Sequence, residues 1–318
     1  MRASETISVS EAQSTDSVML IRPVRFQSNP LTRASNAFQA REAMSDLEAS
    51  NQRAQAQFDG LVQVLRDNAV HCLVFDDTPQ PHTPDSVFPN NWISTHADGC
   101  VVVYPMEAAN RRPERRSDII DVLRDTHGFD VRETVDLTFA EQHGQCLEGT
   151  GSLVLDRVHR AAYACLSSRT DERLARDWCD KMGYRPILFE ARDAGGLPIY
   201  HTNVMMCVGS GVAVVCTQAI ASSARAAVVA QLDQDGHDIV EIDFAAMNAF
   251  AGNMLELTNA NGERLMAMSA QAENALSPAQ RAQIERHARI VSAPIEHIET
   301  QSGGSVRCML AEIHLPRR

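Results

Sequence analysis

The feature that most constrains the fold is a recurring alternation of short apolar runs, too short for buried helices, with longer stretches of helical periodicity. SLVLD (152–156) with AAYACL (161–166), and VMMCV (204–208) with VAVVC (212–216), stand as close strand pairs. PILFE (186–190) and DIVEI (238–242) read as strands that follow an intervening helix. MLIRPVRFQ (19–27), VHCLVF (70–75), CVVVY (100–104) and MLEL (254–257) read as further strands. Between 27 and 70 lies a long helical segment anchored by Phe58, Leu61, Val62 and Leu65, whose spacing lays one face on a core. Other helices are expected to start near Glu114, Thr170, Ser222 and Ser277, the last with a serine N-cap and Pro278 at the first helical position. The order is roughly ββαβ, repeated several times. With no exact repeat, low-complexity tract or linker, this predicts a single α/β domain over 19–318 behind a loose polar segment, 1–18.

Composition narrows the function classes. The 318 residues are 44% hydrophobic and 22% charged, ordinary globular proportions, and 29 Lys plus Arg against 41 Asp plus Glu leave a net charge of −12. Such a chain repels phosphate backbones, which argues against nucleic acid as a partner. Residues 1–18 lack the apolar core of a secretory signal, and no run approaches the ~20 apolar residues that span a bilayer. A soluble, cytoplasmic protein without a membrane partner is expected. Eight cysteines are dispersed through apolar runs with no C-x-x-C pair, a pattern of reduced core thiols rather than of disulfides or a zinc site. There is no G-x-G-x-x-G, no P-loop, no H-E-x-x-H and no compact His/carboxylate cluster, so neither nucleotide cofactor nor metal is expected.

Several segments carry residues of chemical interest, each with an ordinary alternative. Cys308 in SGGSVRC follows Gly303 and Gly304 and sits beside Arg307; mobile glycines and a nearby cation suit a reactive thiol, but another core cysteine would look the same. His201 in PIYHTNV stands at the mouth of an apolar strand, as an acid/base partner or as a structural histidine. Glu148 in CLEGTGSL lies between an apolar pair and two glycines, open to a ligand or solvated in a tight turn. Asn90 and Asn91 in VFPNNWIS suit fixed amide hydrogen bonds or a plain turn. Arg111, Arg112, Arg115 and Arg116 in ANRRPERR, and Arg169 in SSRT, could clamp a carboxylate or form a solvated face.

In order along the chain, FPNNW (88–92), ANRRPERR (109–116), LEGTGSL (147–153), SSRT (167–170), YHTN (200–203) and SGGSVRC (302–308) resemble the motifs of the guanidine-modifying pentein superfamily. Its members include arginine deiminase, dimethylarginine hydrolase and the amidinotransferases. The chain looks most similar to the citrulline-utilisation hydrolase branch. The resemblance implies a five-bladed, pseudo-symmetric α/β propeller of ββαβ units and a hydrolase of non-peptide C–N bonds with no metal or organic cofactor. It implies Cys308 as nucleophile, His201 as general acid/base and Glu148 as the carboxylate that holds substrate nitrogens. Arg112 and Arg169 match arginines that grip the α-carboxylate of a small amino-acid substrate; a homodimer is left open.

Two departures bear on the substrate. Asn91 and Asn203 stand where many relatives have aspartate, which removes two negative charges from a site for a cationic guanidinium. With Asn90 beside them, these amides suit a neutral ureido group, so citrulline is the expected substrate, cleaved to ornithine, carbon dioxide and ammonia through a covalent thiol intermediate. The alternative is a guanidine hydrolase of the arginine deiminase or dimethylarginine hydrolase type, with Asp85 supplying the missing charge. A non-catalytic pentein binding module is the alternative of another class.

Overall fold

The computed structural model describes residues 11–33, 35–39 and 46–318. Among the described residues, fifteen strands form five three-stranded sheets. Along the chain they are β1 (Ser17–Arg22), β2 (His71–Asp76), β3 (Ile93–Thr95), β4 (Cys100–Val103), β5 (Glu133–Asp136), β6 (Val154–Asp156), β7 (Ala161–Cys165) and β8 (Arg185–Phe189), followed by β9 (Met206–Val208), β10 (Val212–Val215), β11 (Asp238–Glu241), β12 (Leu255–Thr258), β13 (Arg264–Ser269), β14 (Arg289–Ala293) and β15 (Ala311–Glu312). In β3-β4-β5, β6-β7-β8, β9-β10-β11 and β12-β13-β14, the first two strands pair antiparallel and the third returns parallel to the second. That return needs a crossover, which the helices Ser117–Asp125, Glu172–Met182, Ser222–Gln234 and Pro278–Glu285 provide. The fifth unit is assembled from both ends of the described chain: β15 pairs antiparallel with β1, and β1 parallel with β2 through helix Leu47–Asp67.

Burial follows the same order within each unit. The first strands β3, β6, β9 and β15 are buried throughout, whereas the third strands β5, β8 and β11 carry exposed or half-buried positions, so the first strand is innermost. Helix Leu47–Asp67 starts at Asp46, whose carboxylate accepts the Ala49 N–H, and it buries Phe58, Leu61, Val62 and Leu65 as the spacing predicts. Ser277 caps its helix through a full capping box. The expected strand 19–27 instead runs from Ser17 to Arg22, because Pro23 has no N–H to continue the ladder. Strands β3, β5, β13 and β14 escape the apolar-run criterion: β3 is three residues long, β5 reads ETVD, and RLMAMS in β13 carries helix-forming residues.

Residues 11–18 are not the loose segment expected, while 1–10 lie outside the described residues. Glu11 is buried and accepts from Arg157 Nη1 at 2.6 Å, Arg160 Nη1 at 2.9 Å and the Tyr184 hydroxyl at 2.7 Å. Gln13 donates to the carbonyls of Leu155 and Val208, tying two innermost strands together. Polar character at this end of the chain reflects a buried charge network rather than solvent, since Arg157 also faces Glu312 at 3.5 Å and Arg307 pairs with Glu312 at 2.6 Å.

This network sets a pH dependence. Burial, with Arg157 nearby, drives the His96 imidazole down to about 3 from an ordinary 6.5. Burial opposes ionisation of Glu11, but Arg157 and His96 hold its carboxyl down at about 2 from 4.5. In both cases the unfolded chain takes up the proton first as pH falls, so stability is lost below pH 6.5 from His96 and below 4.5 from Glu11. Urea midpoints should fall from pH 7 to pH 4, with a shallower fall between pH 7 and 5 in His96→Gln; equal slopes in both proteins would remove His96 from the account.

Candidate functional site

The residues of chemical interest gather because each lies just ahead of an innermost strand. Asn91 precedes β3, Glu148 β6, His201 and Asn203 β9, Asn253 β12, and Cys308 β15. Most of these entries are short helical turns: Pro89–Asn91, Gly149–Ser152, Thr202–Val204 and Val306–Met309. Close packing of the turns explains the glycines. Gly149 has φ +48°, and a Cβ there would lie 2.2 Å from the Asn90 carbonyl oxygen. A Cβ on Gly151 would lie 2.5 Å from Asn91 Nδ2 and 2.9 Å from the His201 ring. Gly303 and Gly304 serve the same end: side chains there would strike Asn36 and the Phe88 ring. They allow close contact of the backbone with these groups ahead of Cys308.

Cys308, His201, Asn91, Arg111, Arg169 and Asp85 line one pocket. Its free volume is about 10 Å³, with little space left between these side chains. Cys308 Sγ faces two carboxamides, with Asn253 Nδ2 at 3.4 Å and Asn203 Nδ2 at 3.5 Å. The Asn253 orientation is determined, because its Oδ1 accepts the Arg307 N–H at 3.0 Å while its Nδ2 donates to the Asn203 carbonyl at 2.9 Å. Arg307 itself does not serve the thiol as expected; its guanidinium is taken by Glu312 and the Leu310 carbonyl. Elsewhere burial pushes thiols up, to about 12 at Cys165 and Cys207.

His201 Nε2 lies 2.9 Å from Glu148 Oε2. Burial works against the Glu148 charge, but Arg169, the His201 bond and Arg111 together hold its carboxyl well below the usual range. As a carboxylate it can only accept, so Nε2 carries the proton and Nδ1 is left as the basic nitrogen. Burial lowers the His201 imidazole below its ordinary value, the Glu148 bond opposing. Arg169 Nη1 and Arg111 Nη1 each stand 3.6 Å from Glu148 Oε2. Arg169 also donates to Glu107 and Ser35 and lies over the Tyr200 ring, its guanidinium carbon 4.8 Å from the centroid.

Three expected positions are redistributed. Arg112 does not face the pocket: it donates to the Met106 carbonyl, pairs with Glu141 and is partly exposed, while its neighbour Arg111 is buried against Glu114, Asn91 Oδ1 and Asp85. In a six-residue turn containing Pro113, spacing does not tell which of two adjacent arginines points inward. Asn90 stands behind the pocket, its Oδ1 accepting from Asn91 Nδ2. Asn203 reaches the thiol but not the pocket lining. Asp85, in contrast, lines the pocket: Oδ2 accepts from Asn29 at 2.7 Å, and Oδ1 is buried with no partner among the described residues. Asn253 escaped sequence reasoning, although AGNMLEL places it ahead of its strand as FPNNWI and YHTNVMM place Asn91 and Asn203. The fold also brings together a His/carboxylate group, Asp156, His159 and His237, that no compact spacing announces, since Asp156 and His237 are 81 positions apart.

Residues 22–315 match the family described as N,N dimethylarginine dimethylhydrolase, eukaryotic. The chain belongs to this family. No match was found among curated protein sequences. Among solved structures, the chain is similar to ArgZ, an arginine dihydrolase from the ornithine-ammonia cycle in cyanobacteria, with TM-score 0.73 and 15% identity over 95% of this chain and 41% of that one. It thus spans about two fifths of ArgZ. The N-terminal domain of ArgZ bound to substrate gives TM-score 0.72 at 16% identity, covering 93% of this chain and 97% of the domain. A dimethylarginine dimethylaminohydrolase adduct with S-methyl-L-thiocitrulline gives 0.63 at 16% identity, over 93% and 98%. Family and likenesses support the pentein guanidine-modifying superfamily and a mixed α/β fold of that type, with the five small sheets fitting its pseudo-fivefold units; none singles out the citrulline-utilisation branch. No helix among the described residues is long and apolar enough to cross a membrane.

The Asn253 geometry yields a prediction. Asn253→Asp keeps the acceptor for the Arg307 N–H but replaces an amide donor beside Sγ with a carboxylate oxygen. Loss of a hydrogen bond of about 1.5 kcal/mol should slow iodoacetamide alkylation of Cys308 roughly tenfold, read by peptide mass spectrometry. An unchanged rate would show that the amide does not act on the sulfur.

Proposed function

We propose that the protein is a cysteine-dependent hydrolase of the guanidino group of an arginine-type amino acid. The observation that carries this is Asp85, which lines the same pocket as Cys308 and His201 and whose buried Oδ1 has no hydrogen-bond partner among the described residues. An orphan anionic acceptor in a dry site suits a cationic N–H donor, the demand a guanidinium makes. The neutral-urea reading rested on Asn91 and Asn203, but Asn91 is engaged by Asn90 and Arg111, and Asn203 by the thiol. Citrulline therefore ranks behind arginine and its methylated forms. We also read the five units as blades of a propeller, supported by contacts of β6 with β9, β9 with β12, and β15 with β3.

In this reading the Cys308 proton passes to His201 and the thiolate sulfur bonds to the guanidino carbon. The bond to a terminal nitrogen then breaks, and that nitrogen takes the proton from His201 and leaves as ammonia or a methylamine. Water attacks the resulting thiouronium carbon, giving its proton to His201, and the sulfur departs to leave a ureido product. Glu148 fixes the imidazole tautomer throughout, and Arg169 stands where a substrate carboxylate would bind. Thr32 and Asn36 line the pocket beside Cys308.

The test is ammonia release and amino-acid analysis with L-arginine, asymmetric dimethylarginine and L-citrulline. Turnover of a guanidino substrate should vanish in Cys308→Ala, and Asp85→Asn should raise its KM about 10- to 100-fold, the loss of one charge-assisted bond of ~1.5–3 kcal/mol. Turnover of citrulline alone, indifferent to Asp85→Asn, would return the neutral-urea reading.

A further inference from the structure

A second constellation lies at the other end of the innermost strands. Asp156 closes β6, the strand that Glu148 and Ser152 precede, so the length of β6 separates it from the thiol site. His159 sits in the turn from β6 to β7, and His237 immediately precedes β11. Asp156 Oδ2 lies 2.9 Å from His159 Nδ1 and 2.7 Å from His237 Nε2, and one donor atom from each of the three residues falls within 4.8 Å of the other two. The imidazole planes stand nearly perpendicular, at 88°, with centroids 5.7 Å apart.

We infer that Asp156, His159 and His237 form a binding site for a divalent transition ion of the zinc class. Tetrahedral zinc with bonds of about 2.0–2.1 Å holds its donors roughly 3.3 Å apart, close to the spacings already present between the carboxylate and each ring. Two imidazoles and one carboxylate select zinc or cobalt over magnesium or calcium, which prefer oxygen alone. Asp156 and His237 are buried and fixed, whereas His159 is partly exposed and can close the third bond by a small movement. His237 has no competing commitment: its Nδ1 finds no partner among the described residues, so the carboxylate is its one polar contact there. A cavity of about 630 Å³ adjoins the group, also lined by Ser210 and His287, leaving room for water as a fourth ligand. Binding needs no oxidant or co-reactant; the two ring protons now facing the carboxylate move to the other nitrogen of each neutral imidazole.

The experiment uses the full chain carrying Cys308→Ala, so that the thiol pocket contributes no sulfur ligand. Equilibrium dialysis with Zn(II) should give one ion per chain at micromolar metal. Co(II) should give the d–d bands of an N/O site of four or five ligands without a sulfur-to-cobalt charge-transfer band. His159→Ala, a change at a partly exposed position that leaves the core intact, should weaken zinc binding at least tenfold, and His237→Gln should do the same. No saturable binding at micromolar zinc, or binding that survives both variants, would overturn the inference whatever the fate of the hydrolase reading.

Discussion

Everything in the candidate site depends on the crowding of chain segments at the entries to the innermost strands. Five short stretches meet where there is room for backbone but little for side chains, as the 2.2 Å separation between the Asn90 oxygen and a Cβ on Gly149 makes plain. Crowded backbone brings N–H and C=O groups that no ladder satisfies, and each buried orphan costs about 1–3 kcal/mol. The chain answers with short polar side chains. Thr202 Oγ1 accepts the Cys165 N–H and donates to the Ser152 carbonyl; Ser152 Oγ donates to the Arg169 carbonyl and accepts the Glu148 N–H. The reactive groups stand on this lattice, so their positions are set by the packing of five entries rather than by any one loop.

The electrostatics follow from the same confinement. Glu148 draws charge from Arg111 and Arg169 and a hydrogen bond from His201, and Arg111 is in turn shared among Glu114, Asp85 and Glu148. Buried charges in such a cluster are tolerable only while every partner remains, since removing one leaves another desolvated and uncompensated. Asp85 Oδ1 is buried there with no hydrogen-bond partner among the described residues.

How much of this was readable in the sequence varies by element. Helix Leu47–Asp67, the cap at Ser277 and a helix start near Thr170 were visible because periodicity and capping are local. Central strands such as VAVVC were visible because burial on both faces makes them uniformly apolar. The polar edge strands β3 and β5, and β13 with its helix-forming RLMAMS, carry no such mark, and β15 can be recognised only once β1 is beside it. At the site, Cys308, His201 and Glu148 could be picked out from their settings and their order along the chain. The choice of Arg111 over Arg112, and the approach of Asn253 to the thiol, depend on long-range packing. Glu11 misled because a polar residue near the start of a chain looks solvated until Arg157, 146 positions later, is placed against it.

The closure of the first sheet by β15 has a further consequence for synthesis. Proteins are made from the N-terminus, and β1 and β2 emerge with an unpaired edge that stays open until residues 311–312 arrive. Cys308 stands three residues before that strand, on the same final stretch. Cys308 is therefore delivered by the segment whose strand completes the first sheet, and a chain ended before it holds His201 and Glu148 without that thiol. The thiol and the strand that completes the first sheet arrive together, so the Cys308 pocket is assembled only when that sheet is.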